Sequence, residues 1–303
     1  MKFDAVLIAG PTASGKSAAA LALAEEIGGV VINTDSMQVY RQAPILTAQP
    51  SAEEQARVPH LLYGHVSARE VYSVGRWRED AAKALTQASE MNRIPIFTGG
   101  TGLYFMALTD GLADIPATPA EVREDARALL DDIGVEALHA RLAERDPLTA
   151  QKLRPSDPQR VLRAYEVFEA TGRPLAEWQE RPAAPLLGKN RIAAFVLDMP
   201  RETLRARIAT RFETMLDRGG LAEARALEGL DPALPAAKLL GLRPLQALAA
   251  GRLAKAEALD AAITATRQFA KRQMTWFRHR MPHYIWFDPL SRNLITEYEK
   301  IPA

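Results

Sequence analysis

Gly10-Pro11-Thr12-Ala13-Ser14-Gly15-Lys16-Ser17 constrains this chain more than any other stretch, because it fits G-x-x-x-x-G-K-[ST] without a gap. It follows a continuous apolar run, Ala5 to Ala9, short enough for a buried parallel strand. It opens an Ala/Leu-rich stretch, Lys16 to Ile27, closed by Gly28-Gly29. In that setting the glycines let backbone N–H groups converge on phosphate oxygens, and the helix N-terminus adds its partial positive charge. Lys16 supplies a point charge to the distal phosphate, and the Ser17 hydroxyl is placed for Mg²⁺. A small-residue turn can match this pattern by chance, but its place between a strand and a helix argues against that. The loop implies a bound phosphate chain and leaves open which molecule carries it.

Further apolar runs extend the pattern. Val30-Val31-Ile32 ends at Asn33-Thr34-Asp35; a helix spans about Gly75 to Met91; Ile94 to Phe97 precedes the loop Thr98-Gly99-Gly100-Thr101-Gly102. Strands alternating with helices at this spacing predict βαβ units and a parallel sheet, with Ala193 to Leu197 and Tyr284 to Phe287 as later strands. Between about Ala113 and Asn190 the pattern changes to short helices without a strand, punctuated by Pro116, Pro147, Pro155, Pro174, Pro182 and Pro185. Thr118-Pro119-Ala120-Glu121 reads as a capping box, and a helix starts at Asp157-Pro158 and stops at Gly172. Thr203 to Met281 is again helical and rich in arginine. The expected architecture is α/β: a P-loop-type parallel sheet flanked by helices, with an inserted all-helical subdomain. Residues 1–112 and 191–303 would form the core and 113–190 the insertion.

Composition narrows the chemistry. The 303 residues are 48% hydrophobic and 25% charged, enough for a real core. The absence of cysteine removes disulfides, thiolate metal sites and cysteine nucleophiles. The five histidines show no metal-ligand spacing, so Mg²⁺ is the one metal expected. No signal peptide or membrane span is apparent, and a cytoplasmic, monomeric protein is expected.

Asp35 ends the second strand beside the expected phosphate loop, where ligands bind in open α/β sheets. As a functional group it would be a general base or a carboxylate near Mg²⁺; the plainer alternative is a turn or cap residue. Thr101 faces the same edge, in a glycine-flanked turn. The arginines cluster on helix faces: Arg160 and Arg163 opposite Val161, Tyr165 and Phe168, then Arg207 and Arg211 opposite Leu204, Ile208, Phe212 and Met215. Arg267, Lys271 and Arg278 fall within about 40° on a helical wheel, and no acidic residue intervenes from Arg267 to Arg280. A net charge of +1 makes no demand for nucleic acid, and a solvated basic face is the plain reading of any one helix; the last segment leans toward phosphate binding. Phe269, Trp276 and Phe277 read as core rather than as stacking platforms.

Taken in order, these motifs resemble the tRNA dimethylallyltransferase family. The matching runs are residues 10–17, Asn-Thr-Asp-Ser-Met-Gln-Val-Tyr-Arg (33–41), Gly-Gly-Thr-Gly-Leu-Tyr (99–104), Asp-Pro-Gln-Arg-Val-Leu-Arg-Ala (157–164), Arg-Ile-Ala-Thr-Arg-Phe (207–212) and Ala-Thr-Arg-Gln-Phe-Ala-Lys-Arg-Gln-Met-Thr-Trp-Phe (265–277). The resemblance implies transfer of a dimethylallyl group from its diphosphate to N6 of the adenosine immediately 3′ of the anticodon, flipped into a channel. It implies that Gly10, Pro11, Thr12, Ala13, Ser14, Gly15, Lys16 and Ser17 hold diphosphate together with Arg207 and Arg211, and that Ser17 meets Mg²⁺. Asp35 matches the family's base, and Thr101 a residue near the reacting amine. The tRNA anticodon stem-loop would touch Asp35, Ser36, Met37, Gln38, Thr101 and Arg123, the strip Gln159, Arg160, Val161, Leu162 and Arg163, and the basic face of Arg267, Lys271 and Arg278. One departure stands out: the family's Gly-Leu-Asp-Ile-Gly-Thr-Ala-Lys-Pro-like run is Gln42-Ala43-Pro44-Ile45-Leu46-Thr47-Ala48-Gln49-Pro50 here.

Three other functions compete. An ATP-using P-loop kinase of a small molecule explains the loop and the βαβ order, but not the long basic helices. A prenyltransferase acting on free adenine nucleotides would be indifferent to tRNA. A nucleotide-switched binding protein needs a guanine motif such as N-K-x-D, and none occurs.

Overall fold

The computed structural model describes residues 2–180, 182–188 and 191–302. It divides into two compact units, Met1–Thr109 with Leu186–Ala303, and Asp110–Pro185. The first unit begins β1 (Ala5–Ala9), α1 (Lys16–Ile27), β2 (Gly29–Asn33), α2 (Pro44–Thr47), α3 (Ala52–Arg57), β3 (His60–Leu61), α4 (Val74–Glu90), β4 (Ile94–Gly99) and α5 (Gly102–Thr109). The second unit holds α6 (Ala120–Arg145), α7 (Pro147–Ala150), α8 (Pro158–Thr171) and α9 (Leu175–Gln179). The chain then returns to the first unit with β5 (Ile192–Leu197), α10 (Arg201–Asp217), α11 (Gly220–Ala226), α12 (Leu242–Ala249), α13 (Lys255–Arg280), β6 (Ile285–Phe287) and α14 (Leu294–Lys300).

The six strands form one sheet in the order β3-β2-β4-β1-β5-β6, and every pairing is parallel. Register lines up Val31, Ile96, Val6 and Ala193 across four neighbouring strands. That row points into a core shared with Leu21, Leu23 and Ala24 of α1 and with Leu294 and Tyr298 of α14. The alternate residues Leu7, Ile32 and Phe97 are equally buried, and the Trp77 ring of α4 meets Phe97 edge-on. Both faces are covered, which is why these strands read as unbroken apolar runs instead of alternating ones. Gly28 closes α1 in the left-handed region (φ 68°), as its position predicts. A separate cluster, with Ile208, Phe212 and Met215 of α10 against Ala262 and Ala270 of α13, packs the basic helices together.

The helical unit has its own core of Leu142, Ala150, Ala164, Val167 and Leu175. Asp157 accepts the Arg160 N–H and Gly172 ends α8 at φ 65°, in line with expectation. Two readings need correction. The segment expected to hold only short helices contains α6, 26 residues broken at Gly134, whose φ of 78° and ψ of 168° leave the helix. The capping box at Thr118 does not form: the buried Thr118 hydroxyl accepts from Arg163 Nη1 at 2.9 Å, and Pro119 caps α6 without a side-chain bond. A capping box does form at Ser51 and Glu54, at the start of α3. Among the described residues, no helix is long and apolar enough to cross a membrane.

Candidate active site

Three loops at the carboxyl ends of β1, β2 and β4 meet at one edge of the sheet, where open α/β folds bind ligands. The first is the phosphate loop. Gly15 takes φ 87° as it turns into α1, and Ala13 sits in the left-handed region at φ 66°, a conformation that costs a side-chain-bearing residue about 1 kcal/mol or more. The N–H groups of Gly15, Lys16 and Ser17 open α1 and are the donors a helix start leaves over. Thr12 and Ser14 differ from the expectation that the loop's amides converge on ligand: the Thr12 N–H goes to Gln273 Oε1 (3.0 Å) and the Ser14 N–H to the Pro11 carbonyl (3.2 Å). Lys16 is buried and donates to the Pro11 carbonyl at 3.3 Å. Burial lowers its pKa to about 8, with nearby Arg211 adding to the fall and Asp35 opposing it.

The second loop carries Asp35, and Asn33 makes its turn. The Asn33 side chain accepts the Asp35 N–H (2.8 Å) and donates to the carbonyls of Asp35 (2.9 Å) and Leu62 (3.0 Å). Asp35 Oδ1 accepts the Met37 N–H at 2.9 Å, while Oδ2 lies beside Gly100, where a Cβ would come within 3.3 Å. Gln38 is buried, and its amide donates to the carbonyls of Thr47 (3.0 Å) and Ala48 (2.7 Å). The loop that departs from the family pattern is thus well held, and Glu223 of α11 holds it too, accepting the N–H groups of Ile45 and Leu46 at 2.8 Å each.

The third loop brings Thr101 to Asp35's neighbour. The Thr101 hydroxyl accepts the Ser36 N–H at 2.9 Å and donates to Ser36 Oγ at 3.2 Å. From α10, Arg211 reaches inward, donating to Thr12 Oγ1 (3.0 Å) and the Thr47 carbonyl (3.5 Å). Arg207, one turn earlier, is exposed beside Gly15.

These groups line a cavity of about 280 Å³ whose walls include Lys16, Ser17, Asp35, Arg207 and Arg211. A smaller apolar chamber adjoins it, walled by Met37, Leu46, Phe212, Met215, Leu239 and Phe269. The two share Thr12, Asp35, Thr47 and Arg211. One end of the site is therefore cationic and polar, and the other is hydrocarbon-lined.

The sequence pattern agrees with this geometry. A family model described as IPP transferase matches residues 38–280, and one described as isopentenyl transferase matches residues 3–64. The chain belongs to the IPP transferase family. Within it, the chain is 54% identical to the tRNA dimethylallyltransferase of Nitrobacter hamburgensis over 288 residues, 94% of this chain and 91% of that protein. The full-length tRNA isopentenylpyrophosphate transferase of Bacillus halodurans has a crystal structure with 34% identity and TM-score 0.64, covering 93% of this chain and 89% of that one. A eukaryotic dimethylallyltransferase captured acting on tRNA superposes at TM-score 0.82 with 27% identity, covering 97% of this chain and 77% of that one. An IPP transferase is a prenyltransferase.

The remaining expected residues lie on helices. Arg267, Lys271 and Arg278 are all exposed on α13, although Arg278 has an acidic partner that the sequence did not suggest, Asp198 at 3.4 Å. Phe277 is buried as expected, whereas Phe269 and Trp276 are half-buried. In the helical unit, Arg123, Gln159 and Arg160 are exposed, Leu162 and Arg163 are half-buried, and Val161 is fully buried in that unit's interior. The side chain of Val161 is thus unavailable to a ligand. Asn33, Glu223 and Gln273 escaped sequence reasoning. Gln273 shows locally as a polar residue on the inward stripe of α13, and Asn33 as a turn-forming residue before Asp35.

Proposed function

We propose that this chain transfers the dimethylallyl group of dimethylallyl diphosphate to N6 of the adenosine immediately 3′ of the anticodon in tRNA. The observation that carries the reading is the pairing of the cationic cavity with the apolar chamber across Thr12, Asp35 and Arg211. A ligand with a phosphate head and a branched hydrocarbon tail suits both halves; a nucleoside triphosphate would set polar groups against Met37, Phe212 and Met215. Family membership and the tRNA dimethylallyltransferase relatives support the same reading.

In this reading the diphosphate lies over the start of α1, with Lys16, Arg207 and Arg211 around its oxygens. The adenine amine attacks the prenyl carbon bonded to oxygen, the C–O bond breaks, and diphosphate leaves with the electron pair. Lys16, Arg211 and the first amides of α1 stabilise the charge that grows on the departing oxygen. The amine is a poor nucleophile because its lone pair is delocalised, and Asp35 takes the proton it sheds. Among the described residues, no group of three His, Cys, Asp or Glu side chains is set to hold a metal. The donors facing the cavity, the Ser17 hydroxyl and one carboxylate at Asp35, fit Mg²⁺, which binds through few protein groups and completes its shell with substrate phosphates and water. Ser17 would hold it, and the ion would supply charge neutralisation at the diphosphate. Gln159, Arg160 and the basic face of α13 would contact tRNA phosphates. We take the active form to be a cytoplasmic monomer, which sedimentation of the purified chain tests as far as its oligomeric state goes.

The experiment is incubation with dimethylallyl diphosphate, Mg²⁺ and unmodified tRNA, followed by mass spectrometry of the nucleosides. A prenylated adenosine from the anticodon loop is expected. ATP-dependent phosphorylation of a metabolite, with no change in the tRNA, would overturn the reading in favour of a kinase; prenylation of free adenine nucleotides but not of tRNA would overturn the choice of acceptor.

A further inference from the structure

The inward stripe of α13 is built from small or apolar residues, Ala258, Ala262, Thr266, Ala270 and Phe277, except at Gln273. That side chain is 6% exposed, and an amide buried in such a stripe is costly unless both its ends are bonded. Both are. Oε1 accepts the Thr12 N–H at 3.0 Å, and Nε2 donates to the Gly100 carbonyl at 2.8 Å. The two partners settle which way the amide points, since a flip would face donor with donor and acceptor with acceptor. The fit at Gly100 is close: a Cβ there would lie 2.2 Å from Nε2.

The two bonded loops do different jobs. Thr12 belongs to the phosphate loop, and its hydroxyl receives Arg211 on the leaving-group side. Gly100 precedes Thr101, whose hydroxyl fixes Ser36 next to Asp35 on the acceptor side. One buried amide therefore spans the gap between the loop that grips diphosphate and the loop that sets the base.

We infer that Gln273 is a positioning residue for prenyl transfer, a rigid spacer that sets the distance between the prenyl carbon and the attacking amine. The inference rests on the prenyl-transfer reading above. It places Gln273 outside the reacting atoms: it gives and takes no proton, and it acts only through Thr12 and Gly100. A misplacement of about 1 Å between reacting groups costs on the order of 10²-fold in rate, and that loss falls on kcat because each substrate still has its own contacts.

The test compares wild type with Gln273→Met, which keeps length and loses both bonds, and with Gln273→Glu. For Gln273→Met, kcat for tRNA prenylation is expected to fall about 30- to 100-fold, while KM for dimethylallyl diphosphate and Kd for inorganic pyrophosphate stay within about 3-fold. In Gln273→Glu the ionised carboxylate repels the Gly100 carbonyl, whereas the protonated acid donates to it as the amide does. Its kcat divided by that of wild type should therefore rise as pH falls, a trend that mere loosening of the fold would not produce. A Gln273→Met enzyme with kcat within 3-fold of wild type, or a loss carried wholly by KM, would overturn the inference. Should Gln273→Met not fold, a pH-independent ratio for Gln273→Glu would overturn it alone. A wild-type enzyme that prenylates no tRNA would sink the functional reading and this inference together; an active wild type with indifferent variants would sink only the spacer.

Discussion

The Thr101 hydroxyl accepts the Ser36 backbone N–H at 2.9 Å, so a residue from the loop after β4 fixes the turn after β2 that carries Asp35. Removing the hydroxyl leaves that N–H in a partly buried place without its acceptor, at a cost of about 1–3 kcal/mol. Thr101→Ala should lower kcat about tenfold, whereas Thr101→Ser, which keeps the oxygen, should stay within about threefold of wild type. Steady-state prenylation assays on the two variants separate this support role from simple packing, because serine loses the methyl and keeps the bond.

Asp35 itself has one oxygen committed to the Met37 N–H, and its other oxygen lies beside Gly100. The asparagine variant preserves the shape and the acceptor for Met37 but takes up no proton. Asp35→Asn should therefore leave tRNA affinity nearly unchanged and cut the transfer rate by a factor on the order of 10² or more. Filter binding and single-turnover rates give the two numbers. Equal losses in both would make Asp35 a binding residue.

Glu223 receives two N–H groups at the start of α2. Burial raises its pKa, against the pull of those same two bonds, so the carboxylate is held in place by what it binds. Glu223→Ala strands both donors and should reduce unfolding free energy by about 1–3 kcal/mol in urea titrations. Because the Thr47 carbonyl on the same segment receives both Arg211 and Gln38, the variant should also raise KM for the prenyl donor. Loss of stability with unchanged kinetics would show that the segment holds its shape in the site without Glu223.

What was legible in the sequence depended on how local its cause was. The phosphate loop, the strand before it and the helix after it are specified by contiguous residues, and so are Asp157 and Gly172 at the two ends of α8. Asp35 and Thr101 were visible because strand ends in a parallel sheet collect on one edge. The two-residue strand His60–Leu61 is too short to show a period. The capping box at Thr118 obeys a local rule that lost to Arg163, 45 residues away in sequence. Gln273 shows locally only as a polar residue on an apolar stripe, and Glu223 has no local signature: the first binds across 261 and 173 residues, and the second across 178 and 177. Such contacts come into being only when the chain folds.

The same bond to Thr118 divides two arginines that the sequence treats alike. Arg160 is exposed, with a loose pairing to Asp157 at 3.6 Å, whereas Arg163 is tied to Thr118 and lies 3.7 Å from Glu166. Neutralising Arg160 should weaken tRNA binding and lower the slope of log affinity against log salt by about one, with little change in stability. Arg163→Ala should instead destabilise the helical unit by about 1 kcal/mol through the orphaned Thr118 hydroxyl. Salt titrations of tRNA binding beside thermal melts of each variant would refute the division if Arg163 gave the larger change in slope.

On the proposed reading, Lys16 should make diphosphate binding depend on pH. Its ammonium is buried, which brings its pKa down to about 8 in the free protein. Below that value the side chain carries its charge and meets the incoming anion as a cation. Above it the amine is neutral, and binding must first recapture a proton, because the anion favours the charged form. Affinity for inorganic pyrophosphate should therefore fall as pH rises through about 8, and calorimetry in buffers of different ionisation enthalpy should register net proton uptake on that alkaline limb. The Lys16→Arg variant carries a guanidinium that stays charged throughout. Its affinity, whatever the absolute value, should lack both the alkaline decline and the proton uptake; a decline of equal slope in that variant would place the titrating group elsewhere.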